Sequence, residues 1–381
     1  MPAAYPAHFR STIPSLEVVI LAAGEATRMR PLLLDRPKVL SPVCNVSILR
    51  RTLELLQSGG QNRATLALRA VFESCEDAIQ SEAPPGFHLD ISFLPARITG
   101  GVPCVRAALK NEAASILVIY GDSLLSFDLG QLISFHGDCL NRGGQITMLC
   151  HRPSDLKDPN KQGKTYHGVV SKNEDGRVTK FIEKPDVTEI GGGFDLANAA
   201  VFFCQRELIW SDRFAQARDF SFDIFEHIAK DWPGQFYAFE IGKGFRFDVG
   251  SLRRFFELNI MALNRSINVR LPGTELLPGV WVGKDARLRL ETMVAPVLIG
   301  DNINIQQQAR IGPNVVLGNR VQIGERTIIQ NAVILDDAEI GSDAVIDSCI
   351  IGARSRVGSR VVVPPRSAVG PDAILGEADL V

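Results

Sequence analysis

Hydrophobic and polar positions change rhythm once along this chain, near residue 265. Before that point, from about residue 15, short β-branched runs alternate with stretches whose apolar residues recur at helical spacing. Val18–Leu21 is the first such run, and Leu49, Leu53 and Leu56 then share one helical face. Ile91–Leu94 and Ile116–Tyr120 read as further buried strands, with a helix over VRAALKNEAA between them. Runs that are apolar throughout belong to strands covered on both faces, and strand–helix alternation favours parallel pairing. The pattern predicts an α/β fold with a doubly wound, mixed but mostly parallel, Rossmann-like sheet, followed by a helix near Ser251–Leu263. Such sheets bind ligands beyond the carboxyl ends of their strands. Gly24 and Gly121–Asp122 fall at two of those ends.

After the helix, an aliphatic residue followed by Gly recurs at Val282, Ile299, Ile311, Leu317, Ile323, Ile340, Ile351, Val357, Val369 and Leu375. Many intervals are six or twelve residues, and Ile305 and Val363 keep the phase without their Gly. A six-residue aliphatic period predicts a left-handed parallel β-helix of hexapeptide repeats, each short strand sending one residue into a continuous core. The phase slips near Asp336–Asp337 and near Ser348, where an irregular corner is expected. The rhythm divides the chain into a tail (1–14), an α/β domain (15–265), a linker (266–278) and the β-helix (279–381).

Composition narrows the partners. Net charge is −2 over 381 residues and aromatics are few, so neither a nucleic-acid groove nor an acidic-membrane surface is expected. Seven scattered cysteines without a C-x-x-C predict reduced, mostly buried thiols. No apolar stretch approaches membrane-spanning length, and MPAAYPAHFR lacks the basic-then-apolar order of a signal peptide, so a cytoplasmic protein is expected.

The chemistry concentrates in residues 18–43, VVILAAGEATRMRPLLLDRPKVLSPV. An apolar run breaks into a small-residue turn (Ala22, Ala23, Gly24, Ala26), and Thr27, Arg28, Arg30, Arg36 and Lys38 follow closely. Few β-carbons then shield the backbone N–H groups, so phosphate oxygens can approach them, and Arg and Lys add charge that backbone donors lack. The arrangement suits a triphosphate. Asp122, ending the strand SILVIY, and Asp248, between Phe247 and Val249, are candidate metal ligands, whereas Asp128 and Asp138 read as helix caps or turn residues.

LAAGEATRMRPLLLDRPKVLSPV resembles the opening signature of the sugar-nucleotide pyrophosphorylases, L-A-A-G-x-G-T-R-L-x-P-L-T followed by P-K-P-L. Later landmarks keep the family's order: YGDSL at 120–124, YHGVV at 166–170, DGRVTKFIEKP at 175–185, LANAAVFF at 196–203 and FRFDVGS at 245–251. The resemblance spans about residues 17–262, and many members carry a trailing β-helix. It implies an enzyme that joins a nucleoside triphosphate to a sugar 1-phosphate and releases pyrophosphate. By resemblance, Leu21, Ala22, Ala23, Gly24, Gly100, Gly101 and Gly121 line the nucleotide. Arg28 binds the leaving pyrophosphate and Lys38 the α-phosphate region. Asp122 and Asp248 hold Mg²⁺, a hard ion shared with substrate phosphates. Glu183 and Asn198 bind sugar hydroxyls, Lys184 the sugar phosphate, and the Gly168 backbone lies against the sugar.

Departures from the pattern fall on backbone and shape positions. Ala26 replaces the second loop glycine, and Val39 stands third in PKVL. Gly100, Gly101, Val102 and Pro103 replace G-T-A-G, and Asn198, Ala199 and Ala200 replace N-A-G. Every charged position survives. The PK element, the Phe135–His136 pair and the trailing β-helix favour GTP and mannose 1-phosphate, with uridylyl, thymidylyl or adenylyl transfer to glucose 1-phosphate as alternatives. A non-catalytic regulatory or assembly subunit of the same build is the competing class, which the retained charges oppose. An acyltransferase β-helix is disfavoured because no His follows His227. A homo-oligomer is expected, since β-helix coils offer faces for association.

Overall fold

The computed structural model describes residues 15–152, 165, 167–186, 188, 194, 196–232 and 234–376. The expected tail, Tyr166 of YHGVV and the last five residues lie outside them. Compactness groups the described residues up to Gly24 with Arg50–Arg246 in one unit, and Glu25–Leu49 with Phe247 onward in a second.

The first unit is built on a nine-stranded mixed sheet. Its centre is the strand Leu16–Ala22, flanked by Arg63–Arg69 and Ser115–Tyr120, both parallel to it, with His88–Leu94 parallel beyond. Val19, Ile20, Ile116 and Val118 are fully enclosed, which is why these runs carry no polar alternation. Leu196–Gln205 adds on antiparallel, and Val169–Lys172 and Val178–Ile182 continue from it. Ile146–His151 also pairs with Leu196–Gln205 and carries Phe236–Glu240 parallel to itself. The parallel half is the Rossmann-like part that the strand–helix alternation predicts.

Helices follow their local signals. Ile48–Ser58 buries Leu49, Leu53 and Leu56. Asp128 caps Leu129–Asn141 by accepting the Gln131 N–H at 2.9 Å, as expected, but Asp138 lies inside that helix and is not a cap. The helix expected over VRAALKNEAA occupies Gly101–Ala108 instead. Glu17 accounts for the early stop: its carboxylate accepts the backbone N–H groups of Lys110 and Asn111, so these donors turn away from a helical path.

The second unit contains the left-handed parallel β-helix. Its three sheets have seven, five and four strands, and every pairing within them other than that of Thr274–Leu277 is parallel. Thr274–Leu277 lies in the span expected as a linker and pairs antiparallel with Val280–Val282. The aliphatic ladder from Val282 to Val369 is buried as predicted. Corners are residues in the left-handed backbone region, among them Gln308, Asn314, Arg320, Arg326, Asn331, Asp337, Asp343, Ser348, Arg354, Arg360, Arg366 and Asp372. Their spacing is six except before Asn331 and Ser348, where it is five. The second slip is therefore at Ser348 as expected, while the first is at Asn331, not at Asp336–Asp337. Asn331 fills the shortened corner with side-chain hydrogen bonds to Asn314 and Asp347 at 3.0 Å each.

Helix Leu252–Leu263 starts at Ser251, whose hydroxyl accepts the Arg254 N–H at 3.3 Å, and packs against strands Val315–Leu317 and Ala332–Ile334. The segment Glu25–Leu49 belongs to this unit and is tied to the same helix: the Cys44 N–H donates to Asn259 Oδ1 at 2.7 Å. No helix among the described residues is long and apolar enough to cross a membrane. Six of the seven cysteines are buried, all seven are free thiols, and burial raises the thiols of Cys104, Cys139, Cys204 and Cys349.

Candidate functional site

In the second unit the turn after the first strand becomes a short helical turn, Thr27–Met29, entered from Ala26 at φ 50° and ψ 27°. Pro37 then opens the turn Lys38–Leu40, placing Lys38 at its first position with a side chain only 14% exposed. Its Nζ lies 3.5 Å from Asp248 Oδ1. Gly250 shows how close Arg28 stands. A Cβ built on Gly250 would run into the Asp248 carboxylate and stand 3.1 Å from Arg28 Nη2. Arg28 and Lys38, with Asp248 more than two hundred residues further along the chain, thus surround one small space that glycine keeps open. Gly250 is the residue that sequence reasoning missed, although it lies within FRFDVGS. Arg36 pairs instead with the neighbouring Asp35 at 3.8 Å, and its charge helps to lower the carboxyls of Asp337 and Asp372 in the β-helix.

In the first unit, strands Leu16–Ala22 and Ser115–Tyr120 end side by side, with Leu21 opposite Tyr120 and the Gly121 N–H donating to the Leu21 carbonyl at 2.9 Å. Asp122 follows at once, its Oδ1 3.4 Å from the Ser123 hydroxyl that donates to it. A side chain at Gly24 would meet nothing within 4 Å, so the turn offers room in front of its backbone. Gly100 has φ 91°, and a Cβ there would come 2.6 Å from the Arg218 carbonyl. Gly101 starts its helix beneath the Tyr120 hydroxyl, 3.1 Å from where its Cβ would be. Pro103 sits in the first turn of that helix, where a proline costs no hydrogen bond. Tyr120 was also missed: burial raises its phenol above the usual value, and Asp219, Glu183 and Asp122, which face it, push the same way. It is a neutral hydroxyl at physiological pH.

Glu183 follows the strand Val178–Ile182, with its side chain 9% exposed and 3.2 Å from Lys184 Nζ. The Glu183 N–H donates to Glu226 Oε1 at 2.9 Å, a fixing contact that sequence reasoning did not find. Lys184 itself is held at φ 46°, a region side-chain-bearing residues seldom adopt. Gly168 lies against this pair: a Cβ there would stand 2.6 Å from Glu183 Oε2 and 2.7 Å from Phe181 Cζ. The Gly168 carbonyl accepts the Asn198 N–H at 2.9 Å, and Asn198 Oδ1 accepts the Ala200 N–H at 2.8 Å. A register shift in the strand falls between Asn198 and Phe202, with Ala200 at φ 60° inside it, so a β-bulge aims Asn198. Gly168, Glu183, Lys184 and Asn198 are brought together as one polar cluster. His136, by contrast, lies in the core, fully buried, stacked on Phe203 and hydrogen-bonded to Thr147 at 2.9 Å.

The family described as nucleotidyl transferase matches residues 17–265, and one described as the GMPPB C-terminal domain matches 293–381. A UTP–glucose-1-phosphate uridylyltransferase of Synechocystis is 25% identical over 320 residues, covering 79% of this chain and 78% of the relative. A mannose-1-phosphate guanylyltransferase catalytic subunit beta of Xenopus tropicalis is 27% identical, with 78% and 74% covered. A mannose-1-phosphate guanylyltransferase of Mycobacterium tuberculosis is 26% identical, with 76% and 81% covered.

Proposed function

This chain belongs to the nucleotidyl transferase family, and from that premise we propose that it joins a nucleoside triphosphate to a sugar 1-phosphate, with GTP and mannose 1-phosphate as the substrates. The observation that carries the reaction is the grouping of Arg28, Lys38 and Asp248 around Gly250. In this reaction a phosphate oxygen of the sugar attacks the α-phosphorus, the bond from that phosphorus to the α,β-bridging oxygen breaks, and pyrophosphate departs with the electron pair. The task is alignment and charge neutralisation. Arg28 is assigned to the departing pyrophosphate and Lys38 to the α-phosphate. Lys184 takes the phosphate of the incoming sugar, while Glu183 and Asn198 take its hydroxyls. Gly24, Gly100, Gly101 and Gly121, with Leu21 to Ala23, are assigned to the nucleotide.

Asp122 and Asp248 are the carboxylates assigned to Mg²⁺. Their oxygen donors fit a hard divalent ion that completes its shell with phosphate oxygens, and the ion would supply charge to the reacting phosphates. The choice of guanine and mannose rests on the two mannose-1-phosphate relatives and on the C-terminal match. The Synechocystis relative favours UTP and glucose 1-phosphate as the second reading. We also take the protein to be a cytoplasmic homo-oligomer, for which light scattering at micromolar concentration should give more than a monomer mass.

Pyrophosphate release across a matrix of nucleoside triphosphates and sugar 1-phosphates, with Mg²⁺, tests the proposal. GTP with mannose 1-phosphate should give the highest kcat/KM. Asp122→Ala and Asp248→Ala should each abolish turnover with little change in thermal melting. No turnover with any pair would favour the non-catalytic subunit, and substantial turnover by either variant would remove that residue from the metal assignment.

A further inference from the structure

We propose that Arg354, at a corner of the β-helix, is a positioning residue that holds the loop bearing Arg28 and Lys38. The inference rests on the functional reading above for the roles of those two side chains.

Among the described residues, the contacts of segment Glu25–Leu49 with the β-helix include three separated points. Pro31 lies on Gly370, where an added Cβ would come 3.3 Å from the Pro31 Cβ and 3.5 Å from its carbonyl oxygen. Asp35 Oδ2 accepts from Arg354 Nη2 at 3.0 Å, and the charge of Arg36 beside it helps to lower the carboxyls of Asp337 and Asp372. Asn45 Nδ2 donates to the Leu317 carbonyl at 2.7 Å. Lys38 lies between the second and third anchors, and Arg28 lies just ahead of the first.

Arg354 is built to serve as a fixed point. Its Nε and Nη2 both bind Asp372 at 2.7 Å, its backbone N–H donates to the Asp336 carbonyl at 2.9 Å, and its φ is 59°. It belongs to a corner column of alternating charge in which Arg320 forks onto Asp337 at 2.6 and 2.8 Å. Because Asp372 already orders the guanidinium, pairing with Asp35 restrains only one further side chain. Both partners are substantially exposed, and exposed pairs contribute little to global stability. The pair therefore acts on where the loop sits, and the melting temperature should scarcely register it.

Arg354→Ala should raise the KM for the nucleoside triphosphate by about two- to fivefold, the range of one exposed ion pair, and leave the KM for the sugar phosphate unchanged. Asp35→Asn should do the same, and the double variant should be no worse than either single one. Arg354→Lys, which keeps charge without the fork, should recover part of the loss. Gly370→Leu, wedged against Pro31, should act in the same direction. Amide hydrogen exchange should rise in residues 25–49 of Arg354→Ala and stay constant in the β-helix strands. Unchanged exchange together with an unchanged KM would overturn the inference. Wild-type protein that transfers no nucleotide would instead overturn the functional reading, and loop exchange alone would then decide whether Arg354 holds the loop.

Discussion

Two alanines stand where the signature this chain resembles has glycine, and both adopt left-handed backbone: Ala26 at φ 50° and Ala200 at φ 60°. An L-residue there is destabilised by about 1–2 kcal/mol, while glycine's extra freedom when unfolded returns about 0.4–1 kcal/mol of any gain. Ala26→Gly and Ala200→Gly should each stabilise the protein by about 0.5–1 kcal/mol, read from denaturant midpoints; a destabilised variant would mean the methyl group packs usefully. The departures at Ala26 and Ala200 are visible in the sequence, but the backbone angles that give them a cost are not. Gly250 carries the opposite lesson. Its constraint comes from Asp248, two residues before it in FRFDVGS, and from Arg28, which only the fold brings beside it. Gly250→Ala should force the Asp248 carboxylate aside and lower turnover by about a hundredfold, as misplacing a reacting group does, with melting near wild type. Turnover at the wild-type level would show that the space beside Asp248 and Arg28 is not used.

At the scale of elements, the sequence was most legible where one residue type repeats at one spacing. The buried strands and the six-residue ladder could be read because the runs Val18–Leu21 and Ile116–Ile119 and the ladder positions from Val282 to Val369 are aliphatic. The first slip of the β-helix was misplaced because Asp336–Asp337 is conspicuous as sequence, whereas Asn331 closes the short corner through hydrogen bonds that only the fold creates. The helix after Gly101 ends early for a related reason: Glu17, from another element, captures the next N–H groups. His136 shows the same limit. As sequence it reads as a marker beside Phe135, but it is an enclosed part of the sheet–helix packing, and burial lowers its pKa to about 3. His151 is lowered to about 4, by burial first and then by Arg246. Below pH 6.5 the unfolded chain binds protons that these folded imidazoles refuse, so stability falls with falling pH until the folded pKa values are reached. From pH 6.5 to 5 the loss should be about 2 kcal/mol for His136 alone. Denaturation at pH 7.5, 6 and 5 should show it, and His136→Asn should be destabilised but less dependent on pH. A wild-type stability that is flat across this window would contradict the burial of both imidazoles.

For the whole molecule, sequence rhythm and compactness divide the chain differently, and the difference has a consequence for truncation. The rhythm suggests that residues 15–265 would stand alone. Yet Glu25–Leu49 and the helix Leu252–Leu263 fall in the unit that contains the β-helix. Removing everything after residue 265 would leave that helix without strands Val315–Leu317 and Ala332–Ile334. Asn45 would lose the Leu317 carbonyl, and Asp35 would lose Arg354. Leu258, Ala262 and Leu263, now at most 3% exposed, lie on that helix. Uncovering a leucine side chain costs about 1.5–3 kcal/mol when complete, a large share of the 5–15 kcal/mol by which domains are stable. The 15–265 fragment should therefore melt less cooperatively than the full chain and show faster amide exchange in 25–49 and 252–263, while the sheet around Leu16–Ala22 keeps its protection. Any transfer activity should fall much further than in Arg354→Ala, since all three anchors of the loop are lost together. A fragment with full turnover and native exchange in 25–49 would show that the loop holds its place without the β-helix.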